Sequence, residues 1–403
     1  MKFILKITNY PVITVFLVLA FLLLLSNLFM PMAEQQFSLL ADSFLHGKIY
    51  FTSNPGRLDD LALYDNHYFW PLGPAPAILL TPFVAMFKLF GQFFYQGYLQ
   101  FFLVIGVFYL CIKIARTLDY DLKDSLFLAV AFTFASAFIG VSLIHFSWYF
   151  SQVVVTFFLL LSVYEFLTKK RYLLIGSYYA LILATRVTAS LSIIFFILYV
   201  VISKLGKRDR KFRDLMYLVV PGTVTLFLLF LYNYSRFANI FEFGYTYQVI
   251  YGVIQKAREY GILSIIHIPG NLYYLLLATP LPIFKDNLSH VLTFPFIKID
   301  SWGMSIFVTS PYFIYLVFLK YKDTISRLLW VTIALTAIPT LLYYGVGYIQ
   351  FGYRYSLDFL PFLFFLLVKN YKEGFGNLSK TFNFLIMLSA LFNMYLFLTV
   401  NAT

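Results

Sequence analysis

Long apolar runs separated by short polar stretches recur along almost the whole chain. The first run covers residues 12–30 and follows two lysines. It is too long for the apolar core of a signal peptide, and no small-x-small cleavage site follows it, so we interpret it as a first transmembrane helix. Further runs, each near the ~20 residues that a helix needs to cross the hydrocarbon core, cover 95–115, 125–143, 150–168, 172–186, 187–203, 215–234, 304–319, 328–346, 356–368 and 381–399.

The composition agrees with this pattern. The chain is 61% hydrophobic and 12% charged, whereas ordinary soluble domains are about 45–50% apolar and about 25% charged. This excludes a water-soluble globule, a disordered tail and a fibrous repeat. The single cysteine, Cys111, lies inside an apolar run, which excludes disulfides within the chain and cysteine-based metal sites.

The run at 75–90 is ambiguous because prolines interrupt it, and the distribution of positive charge decides its placement. If it does not cross the membrane, most Lys and Arg residues lie in short loops on the side of the N-terminus, as the positive-inside rule requires. If it crossed, the basic clusters at 169–171 and 204–213 would move outside. We therefore predict a helix on the outer membrane surface. The net charge of +12 then belongs to the inner side and is no sign of nucleic-acid binding.

These arguments predict an all-α polytopic membrane protein of about eleven spans, in the cell (inner) membrane, with its N-terminus in the cytoplasm. We expect a single integral membrane domain, 1–403, with extracytoplasmic loops at 31–94 and 235–303. No internal repeat or low-complexity tract is present. Because the inner loops are short and mainly basic, we expect the functional site on the extracytoplasmic side.

The first outer loop carries two acids that a short helix would bring together. Residues 33–46 are compatible with an amphipathic helix that ends at Gly47. On such a helix Glu34 and Asp42 lie about two turns apart, on a similar face.

A third acid, Asp60, lies further along the same loop. The Asp65-Asn66 pair that follows it, between alternating apolar and aromatic residues, predicts a tight hairpin turn. Any one of these acids is more often a solvated loop residue than a catalytic one. Their clustering between the first span and a surface helix favours a site.

Three arginines on the outer side are candidate anion ligands. Arg186 falls in the break between two short apolar runs, where burying a guanidinium is costly unless an anion receives it. Arg354 and Asp358 have the i,i+4 spacing of a pair on one helix face. Arg236 lies just beyond a span, where reaching to the interface is the alternative explanation.

Other common sites have no support in the sequence. His145 lies in a short outer loop, and the five histidines show no ligand spacing, so we predict no zinc site. There is no P-loop, and no dinucleotide-binding glycine motif follows a strand, so a cytoplasmic nucleotide site is not expected.

The layout resembles the GT-C superfamily of membrane glycosyltransferases, which take a sugar from a polyprenyl-phosphate carrier outside the cytoplasm. Segment 34–47 resembles their opening of an acid, a helix and a glycine. PLGPAPAILLTP at 71–82, followed by LFG at 89–91, resembles their proline-rich outer helix. Four further segments resemble a bacterial branch of such proteins more closely. They are DLALY at 60–64, NYSRF and FGY within 233–245, WGMS and SP within 302–311, and QFGYRY at 350–355 with Asp358.

This resemblance implies an enzyme that moves a hexosyl or pentosyl unit, with inversion, from a polyprenyl-phosphate donor to a glycan, lipid or protein acceptor of the cell envelope. It implies no covalently bound cofactor and leaves a divalent metal open. Such a reaction needs a carboxylate that takes the acceptor proton and cations that hold the departing phosphate. Because the Asp-Glu dipeptide common at the family's catalytic acid is absent, Glu34, Asp42 and Asp60 all remain candidates, Asp60 also as a metal or acceptor contact. The substrate-binding candidates are Arg354, Arg186, Arg236, Tyr355 and His145.

Two alternatives remain open at this point. A transporter or flippase of lipid-linked glycans often shows inverted repeats and interrupted helices that meet at the midplane. The break at Arg186 is of this kind, but it has no matched counterpart. A non-catalytic membrane scaffold would leave the outer acids and arginines unexplained.

The predicted orientation is testable by labelling in intact cells. A Gln92→Cys variant in a Cys111→Ser background should react with a membrane-impermeant maleimide, because residue 92 lies outside in the eleven-span arrangement. A Lys170→Cys control should react only after permeabilisation. Protection of residue 92 in intact cells would contradict the arrangement.

Overall fold

The structure is a computed structural model that describes residues 10–202, 208–286 and 288–400. Lys2, Lys6, Lys204 and Lys207, which contribute to the predicted orientation, lie outside these ranges. The described residues form two compact units. Unit 1 comprises the described parts of Met1–Ala20, Val107–Val141 and Lys256–Thr403, and unit 2 comprises Phe21–Gly106 and the described parts of Ser142–Gln255.

The described chain is mainly helical. Its α-helices are α1 (Pro11–Leu28), α2 (Gln36–Leu45), α3 (Ala75–Lys88), α4 (Gln96–Thr117), α5 (Leu122–Thr133), α6 (Phe138–Ser142), α7 (Ser147–Leu167), α8 (Tyr172–Leu183), α9 (Val187–Ser190), α10 (Ile194–Ile202), α11 (Arg208–Phe237), α12 (Gly252–Arg258), α13 (Ile268–Leu276), α14 (Ile306–Thr309), α15 (Thr324–Leu342), α16 (Leu360–Phe375) and α17 (Lys380–Val400). The strands pair into two antiparallel hairpins, β1 (Ala62–Tyr64) with β2 (His67–Phe69) and β3 (Leu281–Phe284) with β4 (Leu292–Lys298).

Among the described residues, six helices are long and apolar enough to cross a membrane: α1, α4, α7, α11, α15 and α17. The other predicted spans correspond to shorter or interrupted helices, so the structure does not confirm a count of eleven. The run at 125–143, for example, is divided between α5 and α6. Ser136 lies at the break, where its hydroxyl donates to the Phe132 carbonyl and accepts from the Phe138 amide. A serine side chain that bonds the backbone in this way competes with helix continuation.

A close helix pair forms one part of unit 2. Helix α8 packs along α11, and Gly176 permits the approach, because a Cβ there would lie 2.3 Å from the Tyr217 carbonyl oxygen. The turn between α7 and α8 is fixed by an ion pair. Glu165 accepts from the Arg171 backbone amide at 3.0 Å and from its guanidinium at 2.9 and 2.7 Å.

A second part of unit 2 is a small structure built from residues of the two long loops, 31–94 and 235–303. Helix α2 packs on α3, and the β1–β2 hairpin adds a short segment of the second loop along β1. The Leu63 amide donates to the Tyr247 carbonyl at 3.0 Å, and Val249 donates to Leu61 at 2.8 Å. Ala62, Phe69 and Phe237 form a buried apolar cluster beneath the hairpin.

Unit 1 is organised around α16, which is buried over most of its length. Asn271 on α13 joins neighbouring segments, because its amide donates to the carbonyls of Leu341 and Tyr343 and its oxygen accepts from the Tyr353 hydroxyl at 2.9 Å. At the start of α15, Asp323 caps the helix and accepts from Lys369 at 2.9 Å.

The helix contact at Gly176 gives a stability prediction. We expect Gly176→Ala to destabilise the protein by about 1–3 kcal/mol, because the added methyl group must push a backbone carbonyl away. Gly222→Ala on α11 is the matched control. Among the described residues, no atom other than the nearby backbone of the same helix lies within 4 Å of that Cβ position. Alanine favours a helix over glycine by up to about 1 kcal/mol. Thermal unfolding in detergent compares the two, and equal melting temperatures would contradict the close contact.

Candidate functional site

Glu34 lies between α1 and α2, ahead of the second helix. The prediction that Glu34 and Asp42 share one helix face is therefore wrong, since α2 begins at Gln36. The reason is the conformation of Gln35, whose backbone is not helical. Its side-chain oxygen instead accepts the Gln96 backbone amide at 2.8 Å, so a long-range contact fixes the start of the helix. The predicted end of the helix before Gly47, which has φ +66°, is confirmed.

The backbone of Glu34 is held by a buried amide. The Gln96 side-chain nitrogen donates to the Glu34 carbonyl at 3.1 Å and to the His145 carbonyl at 2.5 Å. The same nitrogen lies 3.0 Å from the Ser147 hydroxyl. Gln96 is fully buried, and a buried polar group needs such partners because water cannot replace them. The amide therefore joins the Glu34 segment to the entrance of α7.

Ser147 completes this connection from the other side. Its hydroxyl donates to the Gln36 side-chain oxygen at 2.6 Å and accepts the Gln36 backbone amide at 3.0 Å. The bond to Gln36 satisfies a backbone amide in the first turn of α2, where amides have no partner within the helix. The segment that carries Glu34 is thus anchored by two buried side chains from α4 and α7.

The Glu34 carboxylate meets an arginine and two acids. Its Oε1 atom lies 3.3 Å from Nη1 of Arg57, and Nη2 of Arg57 lies 2.5 Å from Oδ2 of Asp59. Arg57 is 60% exposed, whereas the Glu34 side chain is only 21% exposed. The arginine therefore covers the carboxylate from the solvent side and links it to Asp59.

Burial raises the pKa of Glu34 above its usual value. The Arg57 guanidinium opposes the rise, while the negative charges of Asp60 and Asp59 add to it. Desolvation prevails because the ionised carboxylate loses water that a single exposed arginine does not replace. A carboxylate with a raised pKa has a higher proton affinity than a solvated one, which suits a general base.

Asp60 is fixed by the second long loop, through Gln248 and Val249. Its backbone has φ +68°, a conformation that residues other than glycine adopt rarely. Its amide donates to the Val249 carbonyl at 2.8 Å, and its carboxylate accepts from Gln248 at 3.1 Å. The predicted turn at Asp65-Asn66 is confirmed, with φ +47° and +56° between β1 and β2. The hairpin and the second loop thus hold Asp60 close enough to influence Glu34.

Asp42 lies in a different environment on α2. Its carboxylate contacts the Lys88 ammonium on α3 at 2.5 Å, and the Lys88 nitrogen lies 3.2 Å from Nε2 of His46. Lys88 and His46 are both about half exposed. Exposed ion pairs of this kind contribute about 0–1 kcal/mol, so the contact links two surface helices with little effect on stability.

Arg236 is buried at the end of α11. Its Nη1 donates to the Trp70 carbonyl at 2.8 Å and its Nη2 donates to the Asn233 side chain at 2.6 Å. The guanidinium also stacks 4.1 Å from the centroid of the Tyr232 ring. Because the side chain is buried within unit 2, the alternative of reaching to the interface does not apply. These contacts tie the segment after β2 to the helix.

Two other substrate-binding candidates lie in unit 2. His145 is fully buried, and burial lowers its pKa to about 4, so the ring is neutral near pH 7. Contact between this ring and a substrate would need a movement of the loop. Arg186 is half buried, and it directly precedes α9 in the break that the sequence predicts.

Arg354 and Tyr355 lie in unit 1, where residues 354–358 form a 3-10 helix. The prediction that Arg354 and Asp358 share one α-helical face is wrong here, because a 3-10 helix has three residues per turn. Positions i and i+3 then lie in line, whereas positions i and i+4 do not. Arg354 is nearly buried. Its amide donates to the Gln350 side chain at 2.9 Å, and its guanidinium lies 4.9 Å from the Tyr355 ring.

Sequence reasoning did not single out Arg57 or Gln96, although both define the environment of Glu34. The run Arg57-Leu-Asp-Asp60 places a positive charge directly before two acids. This is the sequence feature from which a role for Arg57 beside the acids could have been predicted. Gln96 carries no comparable signal, because an isolated glutamine at the start of an apolar run is common. Within the described ranges, no group of three or more His, Cys, Asp or Glu side chains is arranged to hold a metal ion.

Comparison with known proteins gives a weak structural likeness. No protein-family model and no curated protein matches the sequence. The crystal structure of the Archaeoglobus fulgidus oligosaccharyltransferase in the apo form is similar, with TM-score 0.48 and 13% identity over 95% of this chain and 55% of that chain. The archaeal oligosaccharyltransferase AglB from Archaeoglobus fulgidus, in complex with an inhibitory peptide and a dolichol-phosphate, has TM-score 0.43 and 13% identity over 96% and 55%. The chain spans about half the length of these proteins, and a likeness at this level assigns no activity.

The raised pKa of Glu34 predicts a pH-dependent stability. Because the folded state binds the Glu34 proton more tightly than the unfolded state, this contribution to stability is present below the unfolded pKa of about 4.3. It is lost as the pH rises through the folded pKa. We expect Glu34→Gln to raise the melting temperature at pH 7 and to lose this advantage near pH 4.

The control for this measurement is Asp65→Asn, which alters an exposed turn carboxylate of unit 2. It should leave the pH dependence of the melting temperature unchanged. A Glu34→Gln protein that is less stable than the wild type at pH 7 would contradict the desolvation of the carboxylate.

Proposed function

We propose that this protein is a membrane glycosyltransferase that moves a sugar from a polyprenyl-phosphate-linked donor to an acceptor hydroxyl on the extracytoplasmic side. The single observation that carries the proposal is the partly desolvated Glu34 carboxylate, anchored by Gln96 and covered by Arg57 in the first loop. The resemblance of the sequence to the GT-C superfamily supplies the reaction class.

Glu34 is the general base in this proposal. Its carboxylate takes the proton of the acceptor hydroxyl while the hydroxyl oxygen forms a bond to the anomeric carbon of the donor sugar. The bond between that carbon and the lipid phosphate oxygen breaks, and its electron pair leaves with the phosphate. A direct displacement of this kind inverts the anomeric centre.

Arg57 acts on the base and not on the leaving group. In a direct displacement the attacking and leaving oxygens lie on opposite sides of the anomeric carbon, so a cation that contacts the base is on the wrong side for the phosphate. Its bonds to Glu34 and Asp59 orient the carboxylate, and its charge favours the ionised form of Glu34. Arg354 and Arg186 remain our proposed phosphate ligands, because a guanidinium binds phosphate through two parallel hydrogen bonds.

The other acids fit secondary roles. Asp60 is held by Gln248 and lies near Glu34, so we propose that it contacts the acceptor, or a divalent metal if the reaction uses one. The Asp42 carboxylate is paired with Lys88, so an acceptor hydroxyl would have to displace the ammonium to reach it. The sugar, the acceptor and the cell (inner) membrane as location belong to the same proposal.

The test is transfer from a radiolabelled polyprenyl-phosphate sugar in membranes that contain the protein. We expect Glu34→Gln to lower the rate by about 100- to 10,000-fold, the range for loss of a general base. Asp60→Asn should reduce the rate less, and Asp42→Asn should reduce it least. Asp65→Asn is the matched control and should keep the wild-type rate.

The stability measurement shows whether lost transfer comes from lost folding. A Glu34→Gln protein that melts at or above the wild-type temperature and does not transfer sugar supports the proposal. Wild-type transfer by all three acid variants would contradict it. Translocation of the labelled lipid without a glycosylated product would favour a flippase instead.

A further inference from the structure

The second hairpin of the chain has an unusual distribution of apolar side chains. Strands β3 and β4 pair antiparallel within unit 1, with Leu281 opposite Lys298 and Phe284 opposite Leu292. Directly opposite residues share a face of the sheet, and alternate residues of a strand do as well. A bulge between Pro282 and Phe284 interrupts the regular register, so exposure identifies the face. Phe284, Leu292, Phe294 and Phe296 are all exposed, whereas Thr293, Pro295 and Ile297 are buried or half-buried.

The other face of the hairpin contacts the protein. Pro295 is buried, and its carbonyl accepts a hydrogen bond from the Tyr395 hydroxyl of α17 at 2.5 Å. A two-stranded sheet in water buries its apolar face and exposes its polar one. This hairpin exposes apolar residues as well, since Phe294 is 72% exposed and Leu288, between the strands, is 93% exposed.

The helix beneath the hairpin fixes its position relative to a bilayer. Helix α17 is a candidate membrane span, and Tyr395 lies five residues before its end at Val400. At 1.5 Å per residue this is about 7–8 Å along the helix. The contact with Pro295 therefore places β4 alongside the last turns of the span, at the depth where the hydrocarbon core gives way to headgroups.

We propose that the apolar face of the β3–β4 hairpin rests in the interfacial region of the lipid bilayer. The surface is continuous with a membrane span, and its exposed side chains are mainly aromatic and aliphatic. Lys285 and Lys298 lie at opposite ends of the hairpin, where their charges suit anionic headgroups. A two-stranded hairpin is not a closed barrel and therefore does not suit the hydrocarbon centre, which leaves the interface.

This proposal changes the expected surroundings of the second outer loop. The sequence predicts residues 235–303 to be an extracytoplasmic loop, yet 281–298 then contact lipid. The hairpin anchors that loop to the membrane surface beside α17. The proposal stands on unit 1 alone and does not depend on the proposed reaction.

Spin-label accessibility tests the proposal in full-length protein reconstituted into vesicles of phosphatidylcholine and phosphatidylglycerol. Nitroxides are attached to Leu288→Cys and Phe294→Cys in a Cys111→Ser background, and collisions with oxygen and with a nickel chelate are compared. Leu391→Cys, exposed on α17, is the reference for lipid, and Asp65→Cys in the exposed turn is the reference for water. We expect both hairpin labels to collide with oxygen several-fold more, relative to nickel, than the Asp65 label does.

Two outcomes would overturn the proposal. An oxygen-to-nickel ratio equal to that of the Asp65 label would place the hairpin in water. Low collision rates with both reagents would place it against protein instead. If those rates rise when the protein is diluted into excess lipid, the covering partner is a second copy of this chain.

Discussion

The buried amide of Gln96 is the contact on which the candidate site depends. It holds the carbonyl of Glu34 against the entrance of α7, while the Gln96 backbone amide binds Gln35 and so prevents α2 from starting earlier. If α2 began two residues sooner, Glu34 would turn onto the helix surface and become solvated. The partial burial that raises its pKa therefore follows from one hydrogen-bonded side chain on a neighbouring helix.

The burial of Glu34 lowers the stability of the folded protein and at the same time raises the proton affinity of the carboxylate. A carboxylate removed from water destabilises the folded state when it is ionised, and the exposed Arg57 offsets only part of that effect. A protein without a use for Glu34 gains stability by replacing it with a neutral residue. Groups with perturbed pKa values cluster at functional sites, and this supports our proposal that Glu34 is retained for reactivity.

The two long loops, 31–94 and 235–303, each contain a β-hairpin, and the surroundings of the two hairpins differ. The β1–β2 hairpin in unit 2 turns its apolar residues onto Phe237 and holds Asp60 in a conformation that few residues adopt. The β3–β4 hairpin in unit 1 leaves Phe284, Leu292, Phe294 and Phe296 exposed. A strand pattern specifies which residues share a face, but the surroundings decide whether that face meets a core or a lipid surface.

The sequence by itself determined the features that depend on local physics. Apolar length predicted the long spans, the Asp65-Asn66 pair predicted the turn, and Gly47 predicted the end of α2, because each depends on residues close in the chain. The tertiary structure decided the start of α2, the 3-10 helix at 354–358 and the pairing of Glu34 with Arg57. The contacts of Glu34 join residues 23 and 62 positions apart. Side-chain and backbone hydrogen bonds over such separations leave no periodic signal in a sequence, so only the folded chain reveals that Glu34 is partly desolvated and paired with Arg57.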